Sequence, residues 1–176
     1  MGRAAPFPRA LFLRRFRRYI DTQYPGEAAK YEGALQQLNK GREELRACQK
    51  ADEASRVVAV RHAGLFAAAA RHFPFGEGPE AVRCRFQWTG GVLPKDLDGH
   101  DPAVELRNAR VAAASGWLAE GATAFAQDTE AGTKRAAACF AAAAGAVAGL
   151  AGAPEVRGGG GTDGAGCGCL TLVSCR

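Results

Sequence analysis

The sequence contains few of the large apolar residues from which a hydrophobic core is usually built. Leu, Ile, Val and Phe together make 33 of the 176 residues, close to the roughly 20% below which chains struggle to bury a core. Alanine accounts for 38 of the 83 hydrophobic residues. Because the formal net charge is only +5, the composition does not indicate wholesale disorder. It predicts a mainly helical protein with a thin core of its own.

Acidic residues are absent from the first 20 positions, which hold six arginines. The other 156 residues carry 17 basic and 18 acidic side chains, so the rest of the chain is nearly neutral. A nucleic-acid-binding module usually spreads a basic face through its fold. We therefore predict no nucleic-acid partner.

Patterns typical of enzymes are also missing. The glycine-rich segment 158–166 lacks the Lys-Ser/Thr pair of a phosphate-binding loop. His62 and His72 are ten residues apart on a predicted helix, which places them on different faces. The acidic loop at residues 96–101 does not match an EF-hand, because its twelfth position is Arg107 rather than Glu. We predict no enzymatic activity, no metal site and no cofactor.

The six cysteines do not form the pattern of a disulfide framework. Their spacing is uneven and no secretory signal is recognisable, so a reducing cytoplasmic environment is expected. Residues 154–176 are rich in Gly and Cys and cannot bury a core, which predicts a disordered tail. That tail holds half of the cysteines, namely Cys167, Cys169 and Cys175.

Apolar periodicity predicts a series of helices joined by short links, which favours antiparallel helix hairpins. A turn at Tyr24-Pro25-Gly26 ends the first helix, and Pro74 and Pro102 mark later boundaries. Strict alternation over residues 82–89 predicts a half-buried strand, and hence a small β-sheet element. The helices that follow the first are predicted at residues 27–52, 54–73, 101–126 and 133–152.

The two last helices are predicted to pack through small residues. On the helix at 101–126 the predicted buried stripe includes Asn108, Ser115 and Ala122, together with Val104, Val111, Leu118 and Phe125. The last helix contains an uncharged run at residues 136–153, which has the length of a membrane span. Because that run is mostly Ala and Gly, we favour a helix buried between other helices.

The N-terminal helix is amphipathic. Its apolar face is formed by Phe12, Phe16 and Ile20, and its basic residues are Arg14, Arg15, Arg17 and Arg18. We expect the apolar face to pack on the body of the protein. The arginines could then contact an acidic membrane surface, where each basic side chain gains about 1 kcal/mol. The alternative is a mitochondrially targeted or membrane-surface helical protein led by this helix, because an Arg-rich, acid-free amphipathic helix is also typical of a transit peptide.

The order of several motifs resembles the BRO (BRO-one) domain of ALIX-like endosomal adaptors. These motifs are Tyr19-Ile20, Tyr24-Pro25, Phe73-Pro74-Phe75 and Phe86-Gln87-Trp88, followed by Glu130, Gly132, Lys134, Ala136-Ala137, Phe140 and Ala144-Gly145. Two local departures are Thr89-Gly90-Gly91 after the tryptophan and Val111-Ala112-Ala113 in the next helix. The resemblance implies that residues 1–153 form the N-terminal part of a BRO-like domain, so that the chain is a truncated form.

The resemblance also implies a function. BRO domains are helical scaffolds that recruit ESCRT-III in multivesicular-body sorting at endosomes, by binding a C-terminal amphipathic helix of an ESCRT-III subunit. On this chain the implied contact residues are Phe140, Val147 and Leu150. The alternative, which the sequence favours, is that these three side chains belong to the core. Because some apolar helix faces would then lack their usual cover, we expect marginal stability.

Overall fold

Within the described residues, the chain forms five helices and one pair of short antiparallel strands. We analysed a computed structural model, which describes residues 9–48, 50–88 and 97–148. The elements in order are α1 (Arg9–Gln23), α2 (Ala28–Ala47), α3 (Glu53–His72), β1 (Phe86–Trp88), β2 (Leu97–Gly99), α4 (Pro102–Phe125) and α5 (Glu130–Ala148). Consecutive helices pack as antiparallel pairs. The predicted mainly helical class and helix hairpins are confirmed.

Local side-chain chemistry fixes several helix ends. Asp101 caps α4, because its Oδ1 accepts a hydrogen bond of 2.8 Å from the Ala103 amide, and Pro102 occupies the first turn. Asp52 and Ser55 form a reciprocal capping box at the start of α3. Thr129 Oγ1 accepts from the Gly132 amide at the start of α5. The starts of α3 and α4 agree with the predicted boundaries to within one residue. In contrast, α5 begins three residues before its predicted start at 133, and α2 ends five residues before its predicted end at 52.

The strand predicted at residues 82–89 is shorter than expected. Only β1 has strand conformation, and it pairs antiparallel with β2 over three residues, from Phe86 opposite Gly99 to Trp88 opposite Leu97. Val82 instead makes an isolated bridge to Phe75. The alternation itself holds, since Val82, Cys84 and Phe86 are buried and the arginines between them are exposed. With so short a ladder, packing on the helices rather than strand pairing holds this segment.

The main core lies between α1, α2, α3 and the segment leading into β1. The prediction that the apolar face of α1 packs on the body is confirmed, because Phe12, Phe16 and Ile20 are buried in this core. Edge-to-face contacts join Phe16 to Phe73 at 5.2 Å and Phe66 to Phe86 at 5.3 Å between ring centroids. A few aromatic rings thus compensate for the scarcity of Leu, Ile and Val.

The stripe predicted as the buried face of α4 is confirmed at Val104, which is buried, but is wrong towards the C-terminal end of the helix. Leu118 and Phe125 are exposed, whereas the buried residues of α4 include Gly116 and Gly121. At Gly116 a Cβ would lie 2.6 Å from Arg56 Cβ of α3, and at Gly121 it would lie 2.5 Å from Phe140 Cε1 of α5. Because α4 lies so close to α3 and α5, only the faces of α4 that carry glycine fit against them. The larger side chains of α4 are therefore left exposed.

Candidate interaction surfaces

A buried polar network joins four elements around Glu105 of α4. One carboxylate oxygen of Glu105 accepts hydrogen bonds from Arg42 Nε of α2 and His62 Nε2 of α3, each at 2.9 Å. The other oxygen accepts from Trp88 Nε1 of β1 at 2.7 Å. Arg42, His62 and Glu105 are all buried. We call this set the Glu105 network.

The electrostatics of the Glu105 network favour a charged carboxylate. Burial by itself would raise the pKa of Glu105, but the His62 hydrogen bond and the Arg42 charge outweigh burial, so its pKa lies below the usual value. Arg42 also lies 5.0 Å above the ring of Phe12. Because the carboxylate is fully enclosed and its partners are protein groups, the network acts as a structural tie between elements rather than as a catalytic site.

Sequence reasoning missed the Glu105 network. Glu105 lies next to Val104 in a helix that looks apolar on most sides, and its partners are 63, 43 and 17 residues away along the chain. His62 is a buried histidine whose Nε2 bonds to the Glu105 carboxylate. A spacing pattern within one segment of the sequence cannot reveal contacts between residues of four separate elements.

Among the described residues, large apolar side chains are exposed on the hairpin formed by α4 and α5. They are Leu118 and Phe125 on α4 and Phe140 and Val147 on α5, whose exposed fractions are 51%, 63%, 41% and 39%. Isolated exposed apolar residues are normal, but a contiguous group indicates an interaction site. We call these four residues the hairpin face.

The four residues lie on one side of the hairpin. Gly121 lies one helical turn from both Leu118 and Phe125, and the ring of Phe140 covers Gly121. Val147 follows Phe140 two turns later on the same face of α5. The opposite side of the hairpin is polar, because Arg135 of α5 donates to Glu120 of α4 at 2.8 Å. The hairpin is therefore apolar on one side and charged on the other.

The structure describes two of the three predicted contact residues, Phe140 and Val147. Phe140 and Val147 are partly exposed, so the interpretation that they belong to the core is wrong for both. Leu150 lies outside the described residues, as does the tail at 154–176 with its three cysteines. The expectation that α5 would be buried between other helices is also wrong, because α5 packs mainly against α4.

Positive charge lies at one end of the hairpin face. Arg107 precedes Leu118 by three helical turns on the same side of α4, and Arg110 is one turn away. Within the described ranges, neither guanidinium forms an ion pair. A partner segment with acidic residues at the matching end would complement this charge.

The four predicted membrane-contact arginines of α1 do not share one environment. Arg17 Nε donates to Glu32 of α2 at 3.0 Å, so this side chain ties α1 to α2. Arg14, Arg15 and Arg18 are exposed and have no carboxylate partner in the part of the chain that the structure describes. Three of the four cations therefore remain available to an external anion.

Comparisons with protein-family models, curated proteins and solved structures found no match to this chain. The resemblance to BRO domains therefore depends on the motif residues themselves. Across the described ranges, no helix has the length and apolar character needed to cross a membrane. Nor do His, Cys, Asp and Glu side chains form a cluster suited to a metal ion within the same ranges.

The internal cysteines are thiols with different environments. Cys84 is buried beside the Glu105 network, and burial raises its pKa to about 12 despite the nearby charges of Arg42 and Arg15. Cys139 is buried at the contact between α4 and α5, and Cys48 is half-buried. A thiol with so high a pKa has almost no reactive thiolate at neutral pH. Cys84 is therefore a core residue and not a nucleophile.

Proposed function

We propose that this protein is a non-enzymatic adaptor that binds an amphipathic helix of a partner on its hairpin face. The resemblance to BRO domains identifies the partner as the C-terminal helix of an ESCRT-III subunit. It also identifies the setting as the cytoplasmic surface of endosomes during multivesicular-body sorting. The hairpin face is the single observation that carries the proposal.

The geometry of the hairpin face suits a helix. Leu118 and Phe125 lie one helical turn on either side of Gly121, and the ring of Phe140 covers that glycine, so the three exposed apolar side chains are neighbours. An amphipathic helix presents apolar side chains at positions i, i+3, i+4 and i+7, which can pack against such a row. Arg107 and Arg110, which form no ion pair within the described residues, favour a partner helix with acidic residues at one end.

The motif residues of the resemblance also support this proposal. Although they come from three separate parts of the chain, Tyr19, Phe73, Phe75 and Phe86 belong to one aromatic cluster. Trp88, from the same motif as Phe86, joins the Glu105 network. Packing of the ordered motifs into one core is what a shared fold requires.

Fluorescence anisotropy with a labelled ESCRT-III C-terminal helix tests the proposal. We expect the double variant Leu118→Ser/Phe125→Ser to weaken binding by roughly tenfold or more, because truncating central apolar contacts costs about 1–2 kcal/mol each. The matched control is Val57→Ser/Val60→Ser, which removes two exposed valines from α3. The control should bind as the wild type does. Equal weakening by both variants, or no binding by folded wild type, would reject the proposal.

A second candidate function is contact with an acidic membrane surface through α1. It is favoured by the exposure of Arg14, Arg15 and Arg18 without carboxylate partners in the described part of the chain. The mitochondrial alternative requires import of α1 as a leader, yet Phe16 and Ile20 of that helix are fully buried in the core. Removal of a cleaved leader would open that core.

Vesicle sedimentation separates the membrane candidate from helix binding. We expect the full chain to bind vesicles that contain phosphatidylserine, with binding that falls as salt rises. The Leu118→Ser/Phe125→Ser variant should sediment as the wild type does. Mitochondrial import of a fluorescent fusion of the full chain would instead favour the transit-peptide alternative.

A further inference from the structure

Three arginines surround one surface cavity between α1 and the segment that precedes β1. The cavity has a volume of about 250 Å³ and is lined by Arg15, Arg18 and Tyr19 of α1 and by Arg83. The remaining residues of its lining include Thr22 and Gln23, and no carboxylate from the described ranges lines it. Its cations come from two elements that are far apart in sequence.

The cavity is held by ordered parts of the fold. Arg83 lies between Val82 and Cys84, both of which are buried in the core. Its Nε donates a hydrogen bond of 3.0 Å to the Gly78 carbonyl, which orients the guanidinium and leaves its two terminal nitrogens for a ligand. On α1, Arg15 and Arg18 are one turn apart and therefore share a side of the helix.

Among the described residues around the cavity, positive charges outnumber negative ones. Arg15 and Arg18 make no ion pair in the described part of the chain. One carboxylate, that of Glu80, interacts electrostatically with Tyr19 of the cavity. Three cations near one acid repel one another, and an anion between them relieves that repulsion. Guanidinium groups bind phosphate oxygens through paired, charge-assisted hydrogen bonds.

We propose that this cavity binds a phosphate monoester, either free or as part of a lipid headgroup. Its volume lies below the roughly 300 Å³ at which pockets for drug-sized ligands begin, which suits a small anion. Tyr19 adds a neutral hydroxyl donor, because burial first, and then Tyr24 and Glu80, raise the pKa of its phenol. This inference does not depend on the hairpin face, since the two surfaces share no residue.

Titration calorimetry on the full chain with inositol 1,4,5-trisphosphate tests the free ligand. Sedimentation with phosphatidylcholine vesicles that contain phosphatidylinositol 4,5-bisphosphate tests the lipid headgroup. We expect Arg18→Gln and Arg83→Gln each to weaken binding by roughly tenfold or more, because each removes a charge-assisted contact. The control is Arg71→Gln, which removes an equal charge from an exposed position on α3 outside the cavity. It should weaken binding by no more than about twofold at physiological salt.

The outcomes distinguish binding in the cavity from nonspecific electrostatic attraction to the protein. Binding of both probes, or of either one, with dependence on Arg18 and Arg83 supports the cavity and identifies the source of the phosphate. Equal weakening by Arg71→Gln and Arg18→Gln would overturn it, because binding would then follow net charge alone. Absence of binding to both probes by folded wild type would also overturn it. A parallel sedimentation with phosphatidylserine vesicles of the same total charge separates the two proposals. If the chain binds these vesicles but neither phosphate probe, the cavity proposal is rejected and the membrane candidate is not.

Discussion

The aromatic half of the molecule, α1 to α3 with β1, and the α4–α5 hairpin solve the same packing problem differently. In the aromatic half a few rings, including Phe16, Phe66 and Phe86, fill the space between helices. In the hairpin, Gly121 and alanines such as Ala136 and Ala143 let the backbones approach, and few large side chains are buried. These two ways of packing leave different surfaces exposed to solvent.

The difference concerns how much apolar area each half removes from water. Burial of a whole Phe or Leu side chain contributes roughly 1.5–3 kcal/mol, and each buried methyl or methylene contributes about 0.8 kcal/mol. The aromatic half fully buries Phe16, Phe66 and Phe86, whereas the hairpin exposes Phe125 and Leu118. The hairpin therefore retains apolar area that a partner can bury, and we expect it to be the less stable half.

The largest expected effect concerns the Glu105 network, which fastens α4 to the aromatic half. Glu105→Ala should lower the free energy of unfolding by ~3–5 kcal/mol, because it leaves the buried Arg42 charge without its partner. Urea unfolding followed by circular dichroism measures this loss. Glu105→Gln is the matched control, since it keeps the volume and one acceptor and should lose less. Equal stability of wild type and Glu105→Ala would show that the network does not join the two halves.

A smaller effect is expected inside the hairpin, where two glycines can be compared. Gly121→Val should cost ~1–3 kcal/mol by overpacking, because Phe140 occupies the space that the new side chain needs. Gly145→Ala should instead add ~0.5–1 kcal/mol, since no atom lies within 4 Å of the new Cβ and alanine favours the helix. The same unfolding measurement checks both variants. Stabilisation by Gly121→Val would contradict the close approach of α4 and α5.

A pH dependence sharpens the comparison further. The folded state lowers the pKa of Glu105 below its usual value of 4.5. The stability that this group contributes is therefore present above that pH and is lost as the pH falls below it. Urea unfolding at pH 7 and pH 4 should show a smaller difference between wild type and Glu105→Gln at the lower pH. An unchanged difference would mean that Glu105 titrates alike in the folded and unfolded chains.

The smallest effect is a difference in thiol labelling between the two halves. Cys84 reports the aromatic half and Cys139 reports the hairpin, and both are buried. Since the hairpin buries less apolar area, local opening should expose Cys139 more often. Alkylation followed by peptide mass spectrometry should therefore modify Cys139 before Cys84. The reverse order would place the weaker packing in the aromatic half.

The sequence predicts the helices well and the buried faces less well. Helix boundaries were accessible because Asp101-Pro102 and the turn around Pro25 act locally. The predicted buried face is wrong only in the second half of α4. Ala and Gly differ little in hydrophobicity there, and the close approach of neighbouring helices at Gly116 and Gly121 determines which face is buried. The Glu105 network could not be predicted, because its partners come from three other elements.

Hydrogen–deuterium exchange of the full chain with and without an ESCRT-III C-terminal helix tests the central claim most directly. If the hairpin face is the docking surface, exchange should slow in peptides covering residues 116–125 and 138–148. Peptides from α3 around Val57 and Val60 should remain unchanged. Protection of the α3 surface instead, or of no segment at saturating peptide, would contradict the claim that the uncovered apolar side of the hairpin binds the partner helix.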